Sequence, residues 1–246
     1  MTRAPALGPM SRAWAGERAA RMVPGRLRGK PPGLHHVKFT VCAKLYIVSS
    51  AKPYGDPDTH QRMLQAAWEL ALEQGPSLRL ADVAARAGVS RQAMYLHFGD
   101  RAKLLLELLA WGDKAFKLGD LLAQVTAARS GVEALERMVQ VHAAYSPRID
   151  ALARTLEAHQ HQDPAVAAAL RDRLDFRRAA HRAVIARIAA EGDLADGWAI
   201  DTAADLFFAV TLATPWRELT GTCGWSARQY AERMSQFLRR ALITRP

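Results

Sequence analysis

The chain has 246 residues, half of them hydrophobic, and a formal net charge of +10. That length and apolar content suit one or two domains with a real core, and no window approaches the roughly 18 consecutive apolar residues that a membrane-spanning helix needs. Two cysteines, Cys42 and Cys223, make neither a disulfide framework nor a zinc-ligand cluster, so a reducing cytoplasm is the expected setting. Ala and Leu outweigh Val, Ile and Thr, which favours helix over sheet.

Residues 1–57 read as a separate basic extension. They hold ten basic side chains against two acidic ones, so the other residues carry only +2. The overall charge therefore says little about the folded part. Pro24–Gly25, Gly29–Lys30–Pro31–Pro32–Gly33 and Lys52–Pro53–Tyr54–Gly55 break helices. The apolar run Val37 to Val48 suits at most a lone strand, which is no fold. No long apolar stretch of a secretory signal follows the charged start. The extension is expected to be disordered or to reflect an upstream start; a DNA-binding arm and a transit peptide are the alternatives.

From Asp58 the pattern turns helical. Asp58 is a candidate cap for a helix to about Gln74, with Leu64, Ala67, Trp68 and Ala71 on one face, and Gly75–Pro76 stops it. A short helix follows with the stripe Leu80, Val83, Ala84 and Ala87. Gly88 supplies a tight turn, Ser90 caps a helix from Arg91 to about Phe98, and Gly99–Asp100 ends it and caps the next. Further helices are predicted near 101–117, 119–129, 131–145, 148–160, 163–191, 198–213 and 226–243. Their breaks fall at Ser130–Gly131, Ser146–Pro147, Asp163–Pro164, Glu191–Gly192–Asp193 and Thr214–Pro215. The expectation is an all-α chain: a three-helix helix-turn-helix head at 58–105 and a larger helical body at 106–246.

Two short helices joined through Gly88–Val89–Ser90 form a helix-turn-helix, with the second short enough to enter a major groove. At about 100° per residue, Met94 and Phe98 face the other helices, while Gln92 and Leu96 face away. Arg91 suits guanine O6 and N7, Gln92 suits adenine N6 and N7, and Leu96 suits a thymine methyl. Tyr95, His97 and Arg101 suit phosphate oxygens. A helix-turn-helix used only for packing is the competing reading, with Leu96 in a packing contact and His97 as a helix-end cap.

The ordered series Arg62–Met63–Leu64–Gln65–Ala66–Ala67, Val83–Ala84–Ala85–Arg86–Ala87–Gly88–Val89–Ser90 and Met94–Tyr95–Leu96–His97–Phe98–Gly99–Asp100–Arg101–Ala102–Lys103–Leu104–Leu105 resembles the head of TetR-family repressors. The resemblance implies an all-helical homodimer with a small-molecule site in its body. By position it implies that Arg91, Gln92, Ala93, Tyr95, Leu96, His97 and Arg101 face DNA. Gln92–Ala93 stands where members often carry Gly-Thr, and the usual capping Ser or Thr near Leu78 or Arg79 is replaced by Ser77. The head is close to neutral, with Arg62, Arg79, Arg86, Arg91, Arg101 and Lys103 against Asp58, Glu69, Glu73, Asp82, Asp100 and Glu107, so modest non-specific affinity is expected.

In the body, residues 198–213 are apolar almost all round, and residues 226–243 place Tyr230, Met234, Phe237, Leu238 and Leu242 on one face. The resemblance implies a dimer through these two segments, which also matches two DNA half-sites. Trp111, Met138, His142, Tyr145, His159, Phe176 and Trp216 are the candidate ligand contacts, mixing apolar bulk with polar tips; ordinary core is the competing reading. His159 and His161, with His142, are weighed as metal ligands, converging only if the helix ends there. His181 is too distant in sequence to join them. No cofactor is implied, and no nucleophile motif or phosphate-cradling loop suggests an enzyme. The expected function is a repressor released from its double-stranded operator by a small molecule. The alternatives are a ligand-dependent activator of the same architecture, or a helical metal-binding or catalytic domain bearing a helix-turn-helix.

Overall fold

The computed structural model describes residues 56–244. The basic extension, with its candidate arm and strand, lies outside the described residues except for Asp56 and Pro57. Ten α-helices follow in order, and no strand forms among the described residues. The all-α expectation holds.

Helix α1 (Pro57–Gln74) starts slightly earlier than predicted, because Asp56 and not Asp58 is its cap. The Asp56 carboxylate accepts from the amides of Asp58 and Thr59, both at 3.2 Å. Pro57 takes the first helical position, where its missing N–H costs nothing. A 3₁₀ turn (Gly75–Ser77) leads to α2 (Leu80–Ala87), which has no side-chain cap. Gly88 adopts φ 68°, ψ 36°, the left-handed conformation that lets the chain reverse into the next helix. Helix α3 (Arg91–Phe98) is capped by Ser90, whose Oγ accepts from the Ala93 amide at 3.1 Å. Helix α4 (Arg101–Ala115) is capped by Asp100, which accepts from the Lys103 amide at 2.8 Å.

The body holds α5 (Leu118–Thr126), α6 (Gly131–His159), α7 (Pro164–Glu191), α8 (Ile200–Val210), α9 (Ala213–Arg217) and α10 (Ala227–Leu242). The predicted break at Ser146–Pro147 does not occur, and Pro147 lies inside α6. A proline there removes one helical hydrogen bond. The buried stripe Met138, His142, Tyr145, Ile149, Leu152 and Leu156 nevertheless runs without interruption past it, so tertiary packing overrides the local cost. Helices α6 and α7 run antiparallel. At one end Gly131 abuts Ile188 so closely that a Cβ would stand 2.7 Å from Ile188 Cγ1. Past α10, Ile243 pairs with Leu194, the Ala195 amide donates to the Leu242 carbonyl at 2.9 Å, and the Thr244 amide donates to the Asp193 carbonyl at 2.9 Å.

Two hydrophobic cores result. One joins Met63, Trp68, Leu78, Met94 and Phe98 of the head to Leu104, Leu108, Tyr145, Ile149, Leu152 and Val166. The other joins Leu135, Met138, Ile185, Phe207, Tyr230 and Leu238. The head is therefore packed directly on the near ends of α6 and α7. No helix among the described residues is long and apolar enough to cross a membrane.

Candidate nucleic-acid interface and body cavity

Helix α3 divides cleanly by burial. Met94 and Phe98 are fully buried, whereas Arg91, Gln92, Tyr95 and Leu96 are exposed. Tyr95 is 58% exposed and Leu96 52%. Ala93 is half-buried. These residues project from one short helix whose register is set by the Ser90 cap before it and by Gly99, at φ 71°, after it.

Two of the expected DNA-facing residues are engaged elsewhere. His97 is only 9% exposed. Its Nδ1 lies 3.3 Å from Nδ1 of His60, whose Nε2 meets Glu107 Oε2 at 3.0 Å. His60 also stacks on Phe98, centroid to centroid 5.0 Å. Burial first, and the neighbouring His60 second, lower the pKa of His97, so its neutral form is favoured. The Arg101 guanidinium donates from Nη2 to the Pro76 carbonyl at 2.7 Å, tying α4 to the turn after α1. Its Nε is buried without an acceptor, and burial lowers its pKa.

A cavity of about 360 Å³ opens in the body between α4, α5, α6, α7 and the α8–α9 junction. Of the predicted ligand contacts, Met138, His142, Tyr145, Phe176 and Trp216 line it. Trp111 does not; it packs at 5.5 Å against Trp68. His159 does not either; its Nδ1 lies 2.6 Å from the Thr155 carbonyl, one turn back. His161 is exposed, so the pair does not converge with His142. Among the described residues no group of three or more His, Cys, Asp or Glu is arranged to hold a metal ion.

The sequence reading passes over the charged side of this cavity: Arg173, Arg177 and His181, at four-residue spacing on α7. That spacing puts all three on one helix face, a signal present in the sequence. What sequence does not supply is the antiparallel pairing of α6 with α7. It brings His181 Nε2 to 3.1 Å from His142 Nε2, the rings stacked with centroids 5.1 Å apart. His181, distant in sequence, is therefore a close neighbour of His142 in space.

The hydrogen-bond pattern assigns the tautomers. His181 Nδ1 faces the Arg177 carbonyl at 2.6 Å, an acceptor only, so Nδ1 carries the proton and Nε2 accepts. His142 then donates from Nε2 to His181, and its Nδ1 accepts from Arg177 Nη2 at 3.2 Å. Two neutral imidazoles satisfy these contacts; His181 Nε2 also lies 3.1 Å from Thr211 Oγ1, whose hydroxyl donates to the Phe207 carbonyl at 2.8 Å. Burial lowers both pKa values, that of His181 to about 3 and that of His142 well below its usual value, with the Arg177 charge adding to each.

A second cluster joins the cavity to the head. Asp113 of α4 is buried and accepts from the Tyr145 hydroxyl, and it accepts from Arg173 Nη1 and Nη2 at 3.0 and 2.9 Å. Tyr145 and Arg173 line the cavity.

Residues 63–108 match the family model of bacterial regulatory proteins, tetR family. Over 54 residues the chain is 41% identical to the uncharacterized HTH-type transcriptional regulator TtgW of Pseudomonas putida, a match covering 22% of this chain. It spans 40% of the length of that curated relative. Among solved structures, a proposed transcriptional regulator from Saccharomonospora viridis in complex with choline aligns with TM-score 0.67 at 20% identity, covering 77% of this chain and 100% of that one. NalD of Pseudomonas aeruginosa, the secondary repressor of the MexAB-OprM multidrug efflux pump, aligns with TM-score 0.57 at 20% identity over 76% of this chain and 96% of that one. FadR of Bacillus subtilis in complex with stearoyl-CoA gives TM-score 0.57 at 15% identity over 73% and 97%. These likenesses establish a shared fold.

Proposed function

From the match of residues 63–108 to the tetR family of bacterial regulatory proteins, we propose that the chain is a homodimeric repressor of that family that leaves its operator when a small molecule fills the body cavity. The observation that carries the reading is the two-sided α3: Met94 and Phe98 anchor it, and Arg91, Gln92, Tyr95 and Leu96 stand free on one outer face. Arg91 and Gln92 supply the donors and acceptors that read base edges, Leu96 meets a thymine methyl, and Tyr95 reaches a phosphate. Ala93 allows the backbone a close approach. His97 and Arg101 serve by holding α3 and α4 in place through His60 and Pro76.

Two copies are needed to present two such helices to successive major grooves, about 34 Å apart. Helices α8 and α10 are the dimer surfaces in this reading. Leu206, Phe208 and Val210 of α8 are only half-buried within one chain, and Phe237 of α10 is 48% exposed.

The effector acts through α4. A molecule in the cavity meets Tyr145 and Arg173, which hold Asp113. Moving them moves α4, whose first residue lies just past the end of the recognition helix. Release requires the ligand to bind one head spacing better than the other.

The test is binding of the purified chain to the DNA flanking its own gene over a salt series, with the mass of the complex measured alongside. A dimer on a two-fold site is expected. A monomer, or binding with no preference over random DNA, would sink the proposal.

A further inference from the structure

We infer that the effector is an organic anion, a carboxylate on an apolar body, whose charged end is received by Arg177. The inference rests on reading the body cavity as the effector site, and it names the chemistry of that ligand.

Charges around the cavity pair off with one exception. Arg173 is matched by Asp113. Asp150 is held by Arg154 at 2.8 Å and by Arg217 at 2.5 Å, and Glu157 by Arg217 at 2.8 Å. Arg177 has no carboxylate partner among the described residues. Its Nη2 donates to the Thr211 carbonyl and to His142 Nδ1, both neutral acceptors. Its Nε is buried with no acceptor at all. Burial lowers the Arg177 pKa to about 10, so it stays charged at neutral pH. The nearby Tyr230 phenol is pushed up to about 12, so it supplies no counter-charge. His142 and His181 are held neutral by the tautomer chain already described.

A buried cation without an anion is costly to keep, and an anion arriving from solution relieves that cost. The unmet hydrogen-bonding groups point the same way. Trp216 Nε1 is a second buried donor without an acceptor, and Trp216, like Arg177, lines the cavity. Both of these donors lack an acceptor, and a carboxylate brings two. A cationic ligand finds no free acid there, because Asp150 and Glu157 are already bound to arginines. Much of the remaining wall is apolar, with Leu118, Leu122, Met138, Leu170 and Phe176 beside the polar Ser146, Gln160 and Thr214. Those apolar side chains take a hydrocarbon body, which a bare inorganic ion lacks.

The experiment titrates the purified full chain with octanoate, decanoate and phenylacetate, each beside the alcohol and the amine of the same skeleton, by calorimetry and by thermal melting. The carboxylates are expected to bind and raise the melting temperature. Each alcohol and amine should bind on the order of ten- to a hundredfold more weakly, the worth of a charge-assisted hydrogen bond. Arg177→Met and Arg177→Gln should each erase the preference, and whichever keeps its own melting transition decides. If no carboxylate outperforms its matched alcohol and amine, the inference is overturned. It is equally overturned if a folded Arg177 variant keeps the preference. Operator release is measured in the same samples. Carboxylate binding through Arg177 without release would leave the anion site standing and defeat the effector reading instead.

Discussion

Asp113 of α4 and Arg173 of α7 meet as a side-on ion pair, two parallel hydrogen bonds of 2.9 and 3.0 Å across 60 residues of chain. The pair lies away from water, with side chains 8% and 24% exposed, and the Tyr145 hydroxyl completes it. It is the polar link from the cavity wall to the helix that follows the recognition helix. Bidentate geometry fixes orientation as well as distance, so a displaced Arg173 must either carry Asp113 with it or release it.

Replacing Asp113 with Asn keeps the shape and removes the charge. We expect operator binding to survive and release by effector to be lost, because Arg173 can then move without α4. The variant should also be less stable by roughly 2 kcal/mol, the worth of hydrogen bonds to a charged group. Gel-shift titration with and without effector reads the first effect and denaturant melting the second. Normal release in Asp113→Asn would show that the signal travels elsewhere.

At the outer face of α3, Arg91→Ala and Gln92→Ala should each relax discrimination at one or two base pairs, by about 1–3 kcal/mol per position. Arg101→Ala should behave differently, because its guanidinium is bound to Pro76. It should lower the melting temperature while leaving the slope of affinity against salt unchanged. A flattened slope, the mark of a lost phosphate contact, would instead put Arg101 on the DNA.

The buried His142 and His181 make stability depend on pH. Both folded pKa values lie below the usual 6.5, that of His181 at about 3. The unfolded chain therefore takes up protons that the folded chain refuses. Stability is fully present above pH 6.5 and falls as the pH is lowered towards 3, by up to about 1.4 kcal/mol per pH unit for each imidazole. His97 shifts in the same direction. Melting temperatures between pH 7 and 5 check this, and His142→Gln should reduce the slope. A flat profile would mean that the imidazoles are not shielded as described.

Gly131→Ala tests the packing of α6 on α7. The added Cβ would stand 2.7 Å from Ile188 Cγ1 and 2.8 Å from the Ile188 amide nitrogen. A side chain can yield but that backbone cannot, so a loss of about 1–3 kcal/mol is expected. Denaturant unfolding of the variant checks it, and an unchanged midpoint would mean the helices separate at little cost.

Local chemistry makes the head legible from residues alone. Gly88, Ser90, Gly99 and Asp100 act through their own backbones and near neighbours, and the apolar period of α3 places Met94 and Phe98 inside. The same locality explains the small error at the start of α1, where two aspartates stand two positions apart and the one before proline is the cap. Long-range pairing decides the rest. Pro147 reads as a break until the buried stripe of α6 outweighs it. His97 and Arg101 read as phosphate contacts by type, and only the fold brings His97 to His60 and Arg101 to the Pro76 carbonyl. In the body, Met138, His142, Tyr145, Phe176 and Trp216 are legible by type, since any bundle cavity draws on such residues. Arg177 shares a face with Arg173 and His181 by spacing, yet by type an arginine on a helix looks solvated. Only the packing of α6, α7 and the α8–α9 junction around it draws it out of bulk water and leaves it without a carboxylate partner among the described residues.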